Sequence, residues 1–128
     1  MDADDVEGYI YCLTNESMPG LVKIGMTTED PESRTRELSS ATGVPTPFRL
    51  EISKRILNPR EKERAVHDLL SSLGFRVNEK REFFDCSMVI VKQLFAVIDG
   101  MDMVVNTVQA MPAVRKHAVN VVKLGDKD

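Results

Sequence analysis

Apolar and polar positions alternate along much of the first half of the chain and recur at helical spacing in the second. The first run, Gly8-Tyr-Ile-Tyr-Cys-Leu-Thr14, is β-branched and aromatic and stops at the turn formers Asn15-Glu-Ser-Met-Pro-Gly20. Leu21-Val-Lys-Ile-Gly-Met-Thr27 follows at once, so the pair predicts an antiparallel hairpin. Period-two alternation then puts Tyr9 and Tyr11 on one face, and Lys23 and Gly25 together on one face of the partner strand. Asp30-Pro31 carries a helix-start signal, and a short helix is predicted from there to about Ser40, before the breakers Thr42-Gly-Val-Pro-Thr-Pro47. Phe48 to Ile56 alternates again, as a half-buried third strand does. Asn58-Pro59 opens a second helix to about Leu73, with an apolar stripe of Ala65, Val66, Leu69, Leu70 and Leu73 and Gly74 as its stop. Phe83-Phe84 is read as an anchor ahead of a third helix, roughly Ser87 to Ile98, with Val91, Leu94, Phe95 and Ile98 at core spacing.

These elements predict an α/β domain of the α+β type, a small three-stranded antiparallel sheet flanked by helices over residues 7–98. Residues 99–128 form a C-terminal extension, Val-rich over 101–124 without loop composition, and are read as ordered or as a homodimer seam. At 128 residues with 42% hydrophobic and 29% charged content, one globular domain is the default. No apolar run approaches the roughly 20 residues that span a bilayer, and the acidic start lacks the features of a signal peptide, so a cytoplasmic protein with no membrane partner is expected. Cys12 and Cys86 have no metal-ligand or disulfide-framework spacing and read as small core residues.

The net charge of -3 argues against nucleic acid until its distribution is considered. Residues 1–32 hold eight acids and one base, residues 33–98 eight acids and twelve bases, and residues 99–128 four of each. The middle segment is thus net positive, and its bases, among them Arg34, Arg36, Lys54 and Arg64, can either form one phosphate-countering face or be dispersed as an ordinary mixed surface.

Several separated motifs occur in a specific order: Gly8-Tyr-Ile-Tyr11, Lys23-Ile-Gly25, Arg34, Gly43-Val-Pro-Thr-Pro-Phe48, Glu63 with His67 four residues on, Asn78, and Arg81-Glu-Phe-Phe84. Together they resemble the GIY-YIG nuclease superfamily, and more narrowly its phage-type DNA-binding branch, over about residues 7–98. The resemblance implies a GIY-YIG-like fold and a metal-dependent endonuclease that hydrolyses phosphodiesters, with DNA as the expected partner. It makes Tyr11, Lys23, Arg34, Glu63 and Asn78 the catalytic candidates and Tyr9, Arg36, His67 and Arg81 the nucleic-acid contacts. Glu63 would be the metal ligand for Mg²⁺ or Mn²⁺, since such hard ions are held by one or two carboxylates with water and phosphate.

A planar guanidinium at Arg34 suits bidentate phosphate contact, and Arg36 points elsewhere on the helix. Tyr11 would polarise or deprotonate the attacking water, for which a phenol of pKa about 10 needs a cationic neighbour. The second motif departs from the superfamily pattern in having Lys23 where its tyrosine stands, and Leu38 where many members carry a polar residue. For each residue an ordinary use competes: solvated helix charges for Glu63 and Arg34, strand packing for the tyrosines, a neighbour-bonded helix histidine for His67, a turn for Asn78. A non-catalytic DNA-binding module of the same fold, or an interaction protein dimerising through 101–124, are the alternatives.

Overall fold

The computed structural model describes residues 6–78 and 82–107. In chain order the elements are β1 (Glu7–Thr14), β2 (Leu21–Thr27), α1 (Pro31–Ser39), β3 (Arg49–Leu57), α2 (Pro59–Ser72), β4 (Phe83–Asp85), α3 (Met88–Val97) and β5 (Met103–Val105). All strand pairs are antiparallel, in the order β4-β2-β1-β3-β5. The class is as expected, but the sheet has five strands where three were predicted. The two additions, β4 and β5, are only three residues long, too short to display alternation, and each exists because a longer strand offers it an edge. Phe83-Phe84, read as a helix anchor, is therefore strand. The sheet also continues past Ile98 through β5, which pairs with β3.

The strands sort residues onto two faces. Ile10, Cys12, Val22, Ile24, Ile52, Ile56 and Phe84 form the main core with Val66 and Leu70 of α2 and Val91 and Phe95 of α3. Tyr11 and Leu13 are also buried but point to the opposite face, the one α1 crosses. The α1 start follows its signal, with the Asp30 carboxylate accepting from the Ser33 N–H at 3.1 Å and Pro31 in the first turn. At α2 the signal works differently. Asn58 adopts a left-handed conformation (φ 52°), and its side chain accepts from Val6 N–H at 3.1 Å instead of capping the helix.

Two sequence expectations about surfaces change. Of the α2 stripe only Val66 and Leu70 are buried; Ala65, Leu69 and Leu73 face solvent, and the inward face is completed by Pro59 and His67. Lys54, counted among the bases of a possible phosphate-binding face, is 6% exposed. Its ammonium donates to the carbonyls of Phe95 (2.7 Å) and Ile98 at the end of α3. A cation at a helix C-terminus satisfies carbonyls that have no partner within the helix. Among the described residues no helix is long and apolar enough to cross a membrane.

Candidate nucleic-acid site at the edge of β2

β2 is covered by β4 only along Leu21–Lys23, so its outer edge is open from Ile24 to Thr27. The backbone groups there must find other partners. Ile24 N–H donates to the Glu82 carbonyl at 3.2 Å, the Ile24 carbonyl accepts from His67 Nε2 at 2.8 Å, and Met26 N–H donates to the Glu63 carboxylate. Two strand residues span about 6.6 Å and four helical residues about 6 Å, so Glu63 and His67 of α2 can meet Met26 and Ile24 in succession. The four-residue interval between them is thus the spacing at which a helix can dock along a strand edge.

Two glycines make that docking possible. A Cβ on Gly8 would lie 2.7 Å from the Thr27 carbonyl and 2.8 Å from Pro59 Cγ, so only glycine lets the start of α2 sit against β1. Gly25 lies directly across from Tyr11, whose ring covers it: a Cβ there would be 2.5 Å from the phenol oxygen. The phenol hydrogen-bonds with Arg34 of α1. Arg34 also donates to Glu37 at 2.8 Å and keeps part of its side chain exposed. Lys23, two residues before Gly25 on the same face, pairs with Glu82 at 2.9 Å and lies 5.6 Å from the centre of the Phe83 ring.

The electrostatics follow from burial and these neighbours. Desolvation and then the Glu82 charge push Glu63 up to about 7, against the weaker opposing pulls of Lys23, Arg60 and the Met26 N–H. Burial raises the Tyr11 phenol above its ordinary value despite Arg34 beside it, so it is a protonated hydroxyl at neutral pH. Desolvation lowers His67, whose Nε2 must carry a proton to donate to the Ile24 carbonyl; its ring also rests 5.1 Å from that of Phe84.

Four of the catalytic candidates, Tyr11, Lys23, Arg34 and Glu63, thus converge on one strand edge. Asn78 is exposed at the end of the preceding described segment, its carbonyl accepting from Arg76 Nε at 3.4 Å, and Arg81 lies outside the described residues. Tyr9 shares the Tyr11 face and is half-buried opposite Thr27. Arg36 is exposed on the other side of α1, beside a cavity of about 410 Å³ that also touches Ser53 and Asn106. His67, expected as a nucleic-acid contact, is 7% exposed and holds β2 from within. Glu82, part of the Arg81-Glu-Phe-Phe84 motif but not named among the candidate site residues because the motif was read as setting a helix anchor, pairs with Lys23. Alternation from Phe84 inward would have turned Phe83 toward the Lys23 face.

A larger cleft of about 900 Å³ opens at the loop end of the sheet, lined by Asn15, Leu21, Phe48, Phe75 and Met88, and contains none of the converging residues. Lys23, Arg34 and Glu63 are instead half-buried side chains at the surface beside the β2 edge, which a polymer can cross. The T5orf172 domain profile matches residues 8–102, which takes in β1 through α3 and every converging residue. No curated protein and no solved structure matches the chain.

Proposed function

Because the chain belongs to the T5orf172 domain family, associated with phage-type nuclease-like proteins, we propose that it is a metal-dependent endonuclease of the GIY-YIG type that hydrolyses DNA phosphodiesters at the β2 edge. The observation that carries this reading is the meeting of a phenol, two cations and a partly desolvated carboxylate, drawn from β1, β2, α1 and α2, on one open edge.

A divalent cation fits Glu63. Its carboxyl is pushed up to about 7 because desolvation, and then the charge of Glu82, outweigh the nearby cations, an imbalance that a metal ion would relieve. Mg²⁺ or Mn²⁺ bound there would polarise the phosphoryl group and lower the pKa of water. The chain's own residues do the rest. Arg34, whose side chain is partly exposed, can grip a phosphate and offset charge building up on its oxygens. Lys23 supplies a second positive charge on the same face. Tyr11, protonated and fixed by Arg34 and the floor of Gly25, donates or orients a hydrogen bond; in the chain alone it is no base. With the metal bound, Glu63 would stay a carboxylate; its raised pKa of about 7 belongs to the metal-free chain.

The test is incubation of the purified protein with single- and double-stranded DNA and Mg²⁺ or Mn²⁺, beside Glu63→Ala and Glu63→Gln. Wild type should cut and the variants should lose at least about a hundredfold in rate while still binding DNA. If wild type and variants alike leave every substrate uncut, the nuclease reading is wrong. A second reading, a DNA-binding module without turnover, draws on the observation that Lys23 is already paired to Glu82 and Glu63 to Met26 N–H. Its mark is salt-sensitive binding by wild type and both variants with no cutting.

A further inference from the structure

Lys23 is the most enclosed cation among the described ion pairs: its side chain is 14% exposed, whereas the arginines of the other pairs are 33 to 39% exposed. A lysine has four flexible side-chain bonds and a strongly hydrated head, so it takes up one position only when its surroundings impose it. β4 and the residue before it supply those surroundings. Phe83 is the cross-strand partner of Lys23 and lays its ring 5.6 Å from the ammonium, while Glu82 receives the ammonium at 2.9 Å. Glu82 is itself tied down, because its carbonyl accepts the Ile24 N–H at 3.2 Å. The carboxylate is nonetheless 41% exposed on its side chain, so the pair opens to solvent on the acid's side.

We propose that Glu82 is the positioning residue of Lys23. It holds the ammonium on the sheet face that carries Tyr11, where Arg34 of α1 meets the phenol, and its exposed carboxylate is the group that a substrate phosphate displaces. Carboxylate and phosphodiester each carry one negative charge and each accept hydrogen bonds from an ammonium, so the exchange leaves Lys23 paired throughout. The phosphate half of the proposal rests on the nuclease reading; the placement of Lys23 does not. Simple surface pairing predicts neither effect below, since exposed pairs hold their side chains weakly.

Two measurements separate these halves. In the DNA-free protein, the side-chain ammonium resonances of lysine in ¹⁵N NMR should include one slowly exchanging signal that disappears in Lys23→Met. Glu82→Gln should lose it and Glu82→Asp should retain it in weakened form, with thermal melts confirming that each variant is folded. A signal unchanged in Glu82→Gln overturns the placement. DNA affinity is then measured by fluorescence anisotropy across salt for wild type, Glu82→Gln, Lys23→Met and the double variant. Release of Lys23 should tighten binding by roughly three- to tenfold at low salt and steepen the log affinity against log salt slope by about one contact. Under the proposal the gain vanishes in the Lys23→Met background. An equal gain in that background marks the removal of any nearby acid and overturns the exchange. Absence of DNA binding by wild type sinks the exchange together with the DNA reading, while the NMR signal still decides the placement. DNA binding without cutting sinks turnover alone.

Discussion

Gly25 shows how a single residue shapes the site without contributing a functional group. Its missing side chain is the space in which the Tyr11 ring lies, and that ring position is what brings the phenol to Arg34. Gly25→Ala would put a methyl group 2.7 Å from Tyr11 Cζ, so either the ring or the β1–β2 pairing must shift. The expected cost is about 1–3 kcal/mol of stability, as for other overpacked positions. Urea denaturation measures it, and cleavage should fall further than the stability loss accounts for, because the phenol leaves Arg34. Unchanged stability with unchanged cleavage would mean that the ring has room elsewhere. Glu63, by contrast, is constrained by what surrounds it. In a run of helix charges with Glu61 and Arg64 exposed, it is the acid that the fold turns toward β2, where burial and then Glu82 raise its pKa.

At the scale of elements, α2 and β2 are coupled by two titratable side chains with opposite effects on pH-dependent stability. The folded pKa of Glu63, about 7, lies above its ordinary 4.5, so the folded chain binds more protons than the unfolded chain between these values. Its contribution to stability therefore declines as pH rises through that window. The folded pKa of His67 lies below its ordinary 6.5, so the unfolded chain binds more protons and stability is lost as pH falls through 6.5 toward the folded value. In wild type the two slopes oppose each other below pH 6.5. Glu63→Gln leaves His67 alone, and its urea midpoint should rise more steeply with pH than that of wild type between pH 5 and 6.5. Above 6.5 it should escape the decline that wild type shows up to about 7. Superimposable pH profiles for the two proteins would show that Glu63 titrates normally. The same docking explains why the stripe on α2 is narrower than its apolar residues suggest. Turning Glu63 and His67 toward the strand edge rotates Leu69 outward, and Leu73, at the C-cap beyond the last helical residue, is 55% exposed.

At the scale of the whole molecule, charge is spent partly on architecture. Lys54 joins β3 to the end of α3 by donating to backbone carbonyls, so removing it as Lys54→Met strands acceptors that it now satisfies. A loss of about 1–3 kcal/mol is expected, seen as a lowered urea midpoint, with DNA affinity unchanged because the ammonium does not reach the surface. A clear drop in affinity without a drop in stability would return Lys54 to the phosphate-binding surface. The alternation of the strands, the Asp30-Pro31 helix start and the sharing of one face by Tyr9 with Tyr11 and by Lys23 with Gly25 were legible in the sequence, because each depends on local stereochemistry or on a period that neighbouring residues express, whereas the register that sets Tyr11 across from Gly25 came from the structure. Helical spacing also set Arg34 and Arg36 on different sides of α1, and it is Arg34 that lies beside Tyr11. Whether a base lies buried at a helix end like Lys54, whether a histidine faces solvent or a strand edge like His67, and whether three residues such as Phe83–Asp85 become strand depends on which open backbone groups the fold brings near them. Those partners are distant in sequence, up to 59 positions for Lys23 and Glu82, and leave no periodic trace. The hairpin and the helices were therefore set by local pattern and the candidate site residues were named by the family resemblance, while the edge where Tyr11, Lys23, Arg34 and Glu63 meet and the raised pKa of Glu63 were decided by tertiary burial.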